Sequence, residues 1–326
     1  MRCWHAIPDQ MKAAGSRWIE VLLGLALVLL LCACSSQNAS AGPILPASST
    51  PGQFVQETSL PEVQITPPVV KASLTPNPTP ATCTKTRGKF DNIEVPNTSL
   101  TYPLKVKVYF PPCYTDKPYK PYPYIVMIHG MTYKNDQWDR LGADEAADEF
   151  ISYDEAPPFL IFMPYEEQTT GNLYEDGFGD AITSGLVPYA EKNYPVCKER
   201  SCRAIGGLSR GAGWAVHIGL SKPQVFGSIG AHSLPVFNGD LPAAPRWLAT
   251  IPQEEMPRVY IDIGIADGGM SPAIRFEQIL TDYNVPHEWY VNNGEHTEEY
   301  WASHVKEYLR WYVKGWQPEE SPVILP

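Results

Sequence analysis

The sequence has little positive charge and no basic run. It contains 25 Lys and Arg residues against 36 Asp and Glu residues, which gives a formal net charge of −11. Nucleic-acid binding requires basic side chains that neutralise a row of phosphates, so the chain is not expected to bind nucleic acid. Hydrophobic residues make up 44% of the chain and aromatic residues 11%, which is enough for a sizeable core and excludes a globally disordered protein.

The sequence also lacks the apolar run of about 20 residues that a transmembrane helix requires. A shorter apolar run, residues 21–31, follows two basic residues and is followed at once by small residues, the order typical of an export signal. Residues 31–34 resemble the lipobox of bacterial lipoproteins, which implies cleavage after residue 33 and lipidation of Cys34. Plain secretion with cleavage near Ala33 is the alternative, and either Met1 or Met11 can serve as the start.

The segment after the signal is nearly free of charge. Residues 35–82 contain nine Pro, seven Ser and six Thr but only three charged residues. Such a segment cannot bury enough apolar surface to offset the entropy lost on ordering, so we interpret it as a tether. The predicted organisation is a lipoprotein-type signal peptide (1–33), a disordered tether (34–82), a folded catalytic domain (83–316) and a C-terminal tail (317–326).

Four of the seven cysteines lie in the predicted domain. An even number in an exported chain favours disulfides, and four cysteines allow three pairings. We favour Cys83 with Cys113 and Cys197 with Cys202, because each pair brackets one local segment. A zinc site is the rival interpretation, but no His lies at ligand spacing from these cysteines, so we expect no metal and no other cofactor.

Short apolar strands alternate with helical patterns throughout the predicted domain. This alternation predicts an α/β fold with a mostly parallel sheet and helices on both faces. Strands are predicted over residues 104–110, 124–128, 159–163, 203–206, 226–230, 259–264 and 288–291. Helices are predicted over residues 143–151, 179–194, 209–220, 272–283 and 298–313.

A G-x-S-x-G motif is centred on Ser209. The motif follows a predicted strand and opens a predicted helix, which is the strand-turn-helix context of a nucleophile elbow. There the strained turn presents the serine hydroxyl at the sheet edge, while Gly207 and Gly211 leave room for the close approach of strand and helix. The competing interpretation is a helix N-cap serine followed by a glycine-rich packing segment.

A serine nucleophile needs a base, and the base needs a carboxylate to orient it. Asp267 follows one of the later predicted strands, and His296 follows the last, so both fall at the edge and in the chain order that the motif requires. Asp262 is a poorer acid because it lies inside its strand. His232 precedes the acid in the chain, and we assign it to the pocket lining instead.

The charge that develops on the attacked carbonyl oxygen needs hydrogen-bond donors already in place. The backbone amide of Arg210, directly after the nucleophile, is one predicted donor. The loop after residues 124–128 supplies the other, which we assign to the amide of Met131. His129, at the end of that strand, is interpreted as structural.

At these residues the chain resembles the esterase D-like branch of the α/β-hydrolases. That branch includes feruloyl and acetylxylan esterases, enterochelin esterases, S-formylglutathione hydrolases and mycolyltransferases. The resemblance covers about residues 84–315. The segments that carry it are residues 124–130, 135–138, 204–211 and 262–267, and Gly294-Glu295-His296 with Trp301 beyond.

The resemblance implies an α/β-hydrolase fold with Ser209 as nucleophile, Asp267 as orienting acid and His296 as base. Glu295 departs from the pattern, because relatives often carry a glycine there. The exported tether favours carbohydrate-linked esters of the feruloyl or acetyl type, so the expected partner is a small-molecule or polysaccharide ester. Membrane contact is expected only through the lipid anchor.

Three aromatic residues, Tyr133, Trp138 and Trp214, are predicted to form walls of the substrate pocket. Two other functions stay open. Acyl transfer to an alcohol would use the same triad, and a non-catalytic binding module on the hydrolase scaffold would be expected to lack a triad member.

Overall fold

The computed structural model describes residues 83–167 and 177–316. All of them fall in the second of the two units into which residue contacts divide the chain, Pro76–Pro326. The predicted signal peptide, Cys34, the tether and the tail at 317–326 lie outside the described residues. In the described part of the chain, no helix combines the length and apolar character needed to span a membrane.

An eight-stranded sheet forms the centre of the fold. Its strands are β1 (Lys89–Val95), β2 (Leu104–Phe110), β3 (Tyr124–Ile128), β4 (Leu160–Pro164), β5 (Arg203–Leu208), β6 (Ser228–His232), β7 (Arg258–Gly264) and β8 (His287–Asn292). They lie in the order β1-β2-β4-β3-β5-β6-β7-β8. Strand β2 pairs antiparallel with β1 and with β4, and all pairs from β4 to β8 are parallel. This confirms the predicted, mostly parallel sheet.

Helices cover both faces of the sheet, which explains why every residue of β3, β4 and β6 is buried. The helices are α1 (Gln137–Arg140), α2 (Ala143–Ser152), α3 (Phe178–Asp180), α4 (Val187–Asn193), α5 (Arg210–Ser221), α6 (Asp240–Leu248), α7 (Met270–Asp282) and α8 (Glu298–Lys314). One face of the sheet packs against α2 and α8, and the other against α5 and α7. A π-helical turn, Ala181–Leu186, joins α3 to α4.

The elements differ from the sequence prediction in two ways. Strand β5 extends to Leu208, and the strand predicted over 226–230 lies two residues later, so that His232 is its last residue. Strand β1 and helices α1 and α6 were not predicted. Strand β1 buries only Val95 fully and therefore shows weak alternation, and α6 contains Pro245 in its interior, a residue that normally breaks helices.

The structure contains the disulfides Cys83–Cys113 and Cys197–Cys202. Because β2 runs antiparallel to β4, Cys113 just beyond β2 lies at the edge where the parallel strands begin. The first disulfide therefore fixes the start of the described chain at that edge. Ser209 follows the C-terminal end of β5 and lies at the opposite edge.

Candidate active site

Ser209 occupies a strained turn between β5 and α5. Its backbone has φ 53° and ψ −127°, a conformation that residues other than glycine rarely adopt. The turn also requires its glycines, because a Cβ on Gly207 would lie 2.2 Å from the carbonyl carbon of Gly211, and a Cβ on Gly211 would lie 2.2 Å from the Ile128 oxygen. The Ser209 side chain makes no capping hydrogen bond, so the N-cap interpretation is not supported.

The structure brings the three predicted triad residues together at the C-terminal edge of the sheet. His296 Nε2 lies 2.7 Å from Ser209 Oγ, and His296 Nδ1 lies 2.7 Å from Asp267 Oδ2. Asp267 follows β7, and His296 lies between β8 and α8. The histidine side chain is 37% exposed and that of Asp267 only 2%, so the base can reach a ligand while its acid is shielded.

The Asp267 carboxylate is stabilised in its charged form. Burial by itself raises the pKa of Asp267, but hydrogen bonds from His296 and from the Gly269 amide outweigh burial and bring the pKa below its usual range. An ionised carboxylate only accepts hydrogen bonds, so Nδ1 of His296 carries the proton that faces it. Nε2 is then left to accept the hydroxyl proton of Ser209.

The loop after β3 orients the peptide that links Gly130 to Met131. The Gly130 carbonyl oxygen lies 2.6 Å from His129 Nδ1 and also accepts the Tyr133 amide at 3.1 Å. In a trans peptide the carbonyl and the following N–H point in opposite directions, so the Met131 N–H points away from the His129 ring. Met131 is 58% exposed. Its role, and that of the Arg210 amide at the start of α5, as oxyanion donors stay predictions.

Glu166 connects the two segments that carry these amides, and it was not singled out from the sequence. Its buried carboxylate accepts Arg210 Nε at 2.8 Å and Trp214 Nε1 at 2.9 Å. Its backbone N–H donates to His129 Nε2 at 3.0 Å. Burial lowers the pKa of His129, which favours the neutral ring that this acceptor role requires. The signal available in the sequence was an acidic residue two positions after a buried strand at the active edge.

Three predicted pocket residues are placed elsewhere. His232 is fully buried, with Nδ1 2.7 Å from Asp262 and Nε2 3.1 Å from the Tyr312 hydroxyl, so its assignment to the pocket lining was wrong. Trp138 and Trp214 are each 1% exposed and belong to the core, so they are not pocket walls. Their indole N–H groups donate inside the protein, as buried tryptophans usually require. Tyr133 is partly exposed.

Among the described residues, one group of side chains has ligand atoms close enough for a metal ion: Cys197, Glu199 and Cys202. Both cysteines belong to one disulfide, and sulfur in a disulfide is not the thiolate that zinc binds. The residues present therefore do not fit the zinc alternative.

A protein-family model described as "Putative esterase" matches residues 98–312 of the chain. An uncharacterized protein of Corynebacterium glutamicum is 29% identical over 130 residues, which are 37% of this chain and 30% of that protein. The chain thus spans less than a third of the length of this curated relative.

Several solved structures share the fold. A ferulic acid esterase superposes with a TM-score of 0.62 at 22% identity, covering 70% of this chain and 99% of that chain. A ferulic acid esterase of Anaeromyces mucronatus, in complex with ferulic acid, has a TM-score of 0.56 at 19% identity, covering 71% of this chain and 93% of that chain. An S-formylglutathione hydrolase of Staphylococcus aureus has a TM-score of 0.54 at 18% identity, covering 69% and 98%.

Proposed function

We propose that this chain, which belongs to the esterase family described as "Putative esterase", is a carboxylic ester hydrolase that works through an acyl-enzyme formed on Ser209. The observation that carries the proposal is the continuous hydrogen-bonded line from Ser209 Oγ through His296 to Asp267, with 2.7 Å at each step. Nucleophile, base and orienting acid are thus within reach of one another before substrate arrives.

In the first half-reaction Ser209 Oγ attacks the ester carbonyl carbon while His296 Nε2 takes the hydroxyl proton. Asp267 remains ionised and stabilises the imidazolium that forms. The carbonyl oxygen becomes an oxyanion, which the amides of Met131 and Arg210 would stabilise. When the tetrahedral intermediate collapses, the C–O bond to the alcohol breaks, and His296 returns the proton to the departing alcohol.

In the second half-reaction water takes the place of the alcohol. His296 removes a proton from the water as its oxygen attacks the acyl carbon, and the same two amides stabilise the second oxyanion. The bond from Ser209 Oγ to the acyl carbon then breaks, and Ser209 recovers its proton from His296. The products are a carboxylic acid and the free enzyme, and no cofactor is required.

For the substrate, we propose carbohydrate-linked esters of the feruloyl or acetyl type. The fold is shared with ferulic acid esterases, one of them in complex with ferulic acid. The guanidinium of Arg210 beside the nucleophile is paired with the buried carboxylate of Glu166, which favours acyl groups without a charge. A polysaccharide ester outside the cell also agrees with export of the chain.

For the location, we propose a bacterial lipoprotein anchored by Cys34, with residues 35–82 as its tether. The observation that supports a tether is that the described chain begins at Cys83, at the sheet edge opposite Ser209. Cys34→Ser should move activity from the membrane fraction to the soluble fraction without changing the specific rate. If the wild-type protein is soluble and mass spectrometry finds no acyl groups on it, the lipoprotein proposal is wrong and the protein is secreted in the ordinary way.

The catalytic proposal is tested with p-nitrophenyl acetate and methyl ferulate, each with and without an alcohol acceptor. Ser209→Ala should remain folded and lose turnover by at least ~10³-fold, the scale of triad loss. Ser201→Ala is the matched control, because this exposed serine precedes the start of β5. Wild-type turnover in Ser209→Ala would contradict the proposal, and ester products formed from the added alcohol would show acyl transfer.

A further inference from the structure

Ser233 lies directly after β6, next to the neighbouring strand β7. Its side chain is fully buried, and its backbone has φ 52°, in the left-handed region that disfavours residues other than glycine. Its amide donates to the Asp262 carbonyl oxygen at 2.8 Å. The preceding residue, His232, accepts the amide of Ser209 with its own carbonyl oxygen at 2.9 Å. Ser233 is therefore fixed to the same frame as the nucleophile.

The hydroxyl of Ser233 has a defined direction. Trp301 Nε1 lies 2.9 Å from Ser233 Oγ, and an indole N–H can only donate, so the serine oxygen accepts this hydrogen bond. The hydroxyl proton of Ser233 is then available to another acceptor. The carboxylate of Asp267 is the acceptor nearby. A Cβ on Gly269 would lie 3.2 Å from Asp267 Oδ1 and 3.3 Å from the carbonyl oxygen of Leu234, the residue after Ser233, so the two segments are in contact. The Ser233 hydroxyl also helps to lower the pKa of Asp267.

Trp301 reaches the same triad from a second side. It lies in the first turn of α8, it is 2% exposed, and its ring packs edge-on against the His296 ring with 5.0 Å between centroids and 85° between planes. One side chain thus contacts the base through its ring and the acid through Ser233. The four residues are therefore connected in the order Trp301, Ser233, Asp267 and His296.

Building on the proposed function, we propose that Ser233 and Trp301 are positioning residues for ester hydrolysis, which hold the Asp267 carboxylate and the His296 ring in their reactive orientation. Neither residue touches Ser209 Oγ or the ester in this arrangement. They act by steadying the Asp267 carboxylate, whose Oδ1 accepts the Gly269 amide at 2.8 Å while Oδ2 lies 2.7 Å from His296 Nδ1. The ionisable groups that face Asp267 are His296, from the loop after β8, and Tyr300, from α8.

Two substitutions at position 233 distinguish the effect of the hydroxyl from the effect of the strained backbone conformation. Ser233→Ala and Ser233→Gly both remove the hydroxyl. Glycine adopts φ 52° without strain, whereas alanine keeps the strain, so Ser233→Gly should be the more stable of the two variants. If the hydroxyl matters for catalysis, both variants lose activity equally in spite of this difference in stability.

The experiment measures kcat, KM, the pH profile of kcat/KM and thermal unfolding for Ser233→Ala, Ser233→Gly, Trp301→Phe and the Ser233→Ala/Trp301→Phe double variant. Removing a hydrogen bond to a charged group should lower kcat about tenfold or more in the Ser233 variants and leave KM nearly unchanged. A carboxylate with one donor fewer favours the imidazolium more strongly, so the acid limb of the profile should move to higher pH. The double variant should lose less than the product of the two single losses, because the residues act through one contact.

Trp316→Phe is the matched control. The Trp316 indole N–H also donates to a serine, but its acceptor is the backbone carbonyl oxygen of Ser201, which precedes β5. It should leave kcat and the pH profile unchanged. Wild-type kcat and an unmoved acid limb in both Ser233 variants would overturn the inference, as would recovery of kcat in Ser233→Gly alone. If Ser209→Ala is inactive in the same assay, such results reject only the positioning role; if Ser209→Ala is active, the proposed function itself fails.

Discussion

Two of the His–Asp pairs among the described residues have the same contact distance and different surroundings. In each pair histidine Nδ1 lies 2.7 Å from a carboxylate oxygen, for His296 with Asp267 and for His232 with Asp262. The first pair stands at the C-terminal edge of the sheet with its histidine 37% exposed, and the second is completely buried. The difference lies in what Nε2 faces, which is Ser209 Oγ in the first pair and the Tyr312 hydroxyl in the second.

The buried pair is surrounded by tyrosines of α8. Asp262 Oδ2 accepts the hydroxyls of Tyr300 and Tyr308, each at 2.7 Å, and the Tyr308 ring stacks on His232 with centroids 3.6 Å apart. Burial and the nearby Asp262 charge raise the pKa of Tyr308, so this hydroxyl keeps the proton that it donates. The pair therefore ties α8 to β6 and β7. A short His–Asp contact alone therefore does not identify a catalytic pair. The exposure of the histidine and the group that its Nε2 faces do identify it.

The largest expected effect comes from exchanging each carboxylate for its amide. Asp267→Asn should lower turnover by about 10³-fold or more at unchanged substrate binding, because His296 is then held in the wrong tautomer. Asp262→Asn should instead lower the free energy of unfolding by about 3 kcal/mol, because it breaks a buried charged contact, with turnover of the folded fraction largely kept. Turnover and chemical denaturation of both variants check this, and a greater loss of turnover in Asp262→Asn would reverse the assignment.

A smaller effect concerns the pH dependence of stability in the exposed pair. Asp267 has a folded-state pKa below its usual range, so its charge stabilises the fold above the unfolded value of about 3.9, and this contribution is lost as the pH falls through the folded-state pKa. The difference in unfolding free energy between wild type and Asp267→Asn should therefore narrow as the pH is lowered from 7 to below 4. Denaturant titrations across this range measure it, and a difference independent of pH would contradict the stabilised carboxylate.

The smallest expected effect belongs to the donors of the buried pair. Tyr308→Phe removes one of the hydrogen bonds to Asp262 and should lower the free energy of unfolding by about 1–2 kcal/mol. Turnover per folded molecule should be nearly unchanged, because Tyr308 has no contact with the triad. A large loss of turnover at preserved stability would mean that the buried pair takes part in catalysis after all.

Much of the site could be predicted because its signals are local. The glycines around Ser209 mark a turn within five residues, and Asp267 and His296 each follow a strand at the expected edge. Ser233 gave no such signal, and Glu166 gave only its position after β4. Their contacts join segments far apart in the chain: Ser233 with Trp301, and Glu166 with Arg210. No short motif encodes contacts of that kind.

The errors in the prediction have the same origin. Trp214 lies near the motif in sequence, but the turn of α5 directs its indole to the buried Glu166 instead of the pocket. His232 was expected beyond its strand, and the two-residue shift of β6 makes it the last strand residue, with its side chain in the core. Strand ends are set by pairing with the neighbouring strands, which the sequence does not display.

The most direct measurement of the central claim is the rate at which an activated ester acylates Ser209, followed by mass spectrometry of the peptide that contains it. Wild type and Asp262→Asn should form the acyl-enzyme on Ser209 at similar rates, Asp267→Asn should form it far more slowly, and Ser209→Ala should form none. Acylation at another residue, or equal acylation rates in Asp267→Asn and wild type, would contradict the claim that His296 and Asp267 activate Ser209.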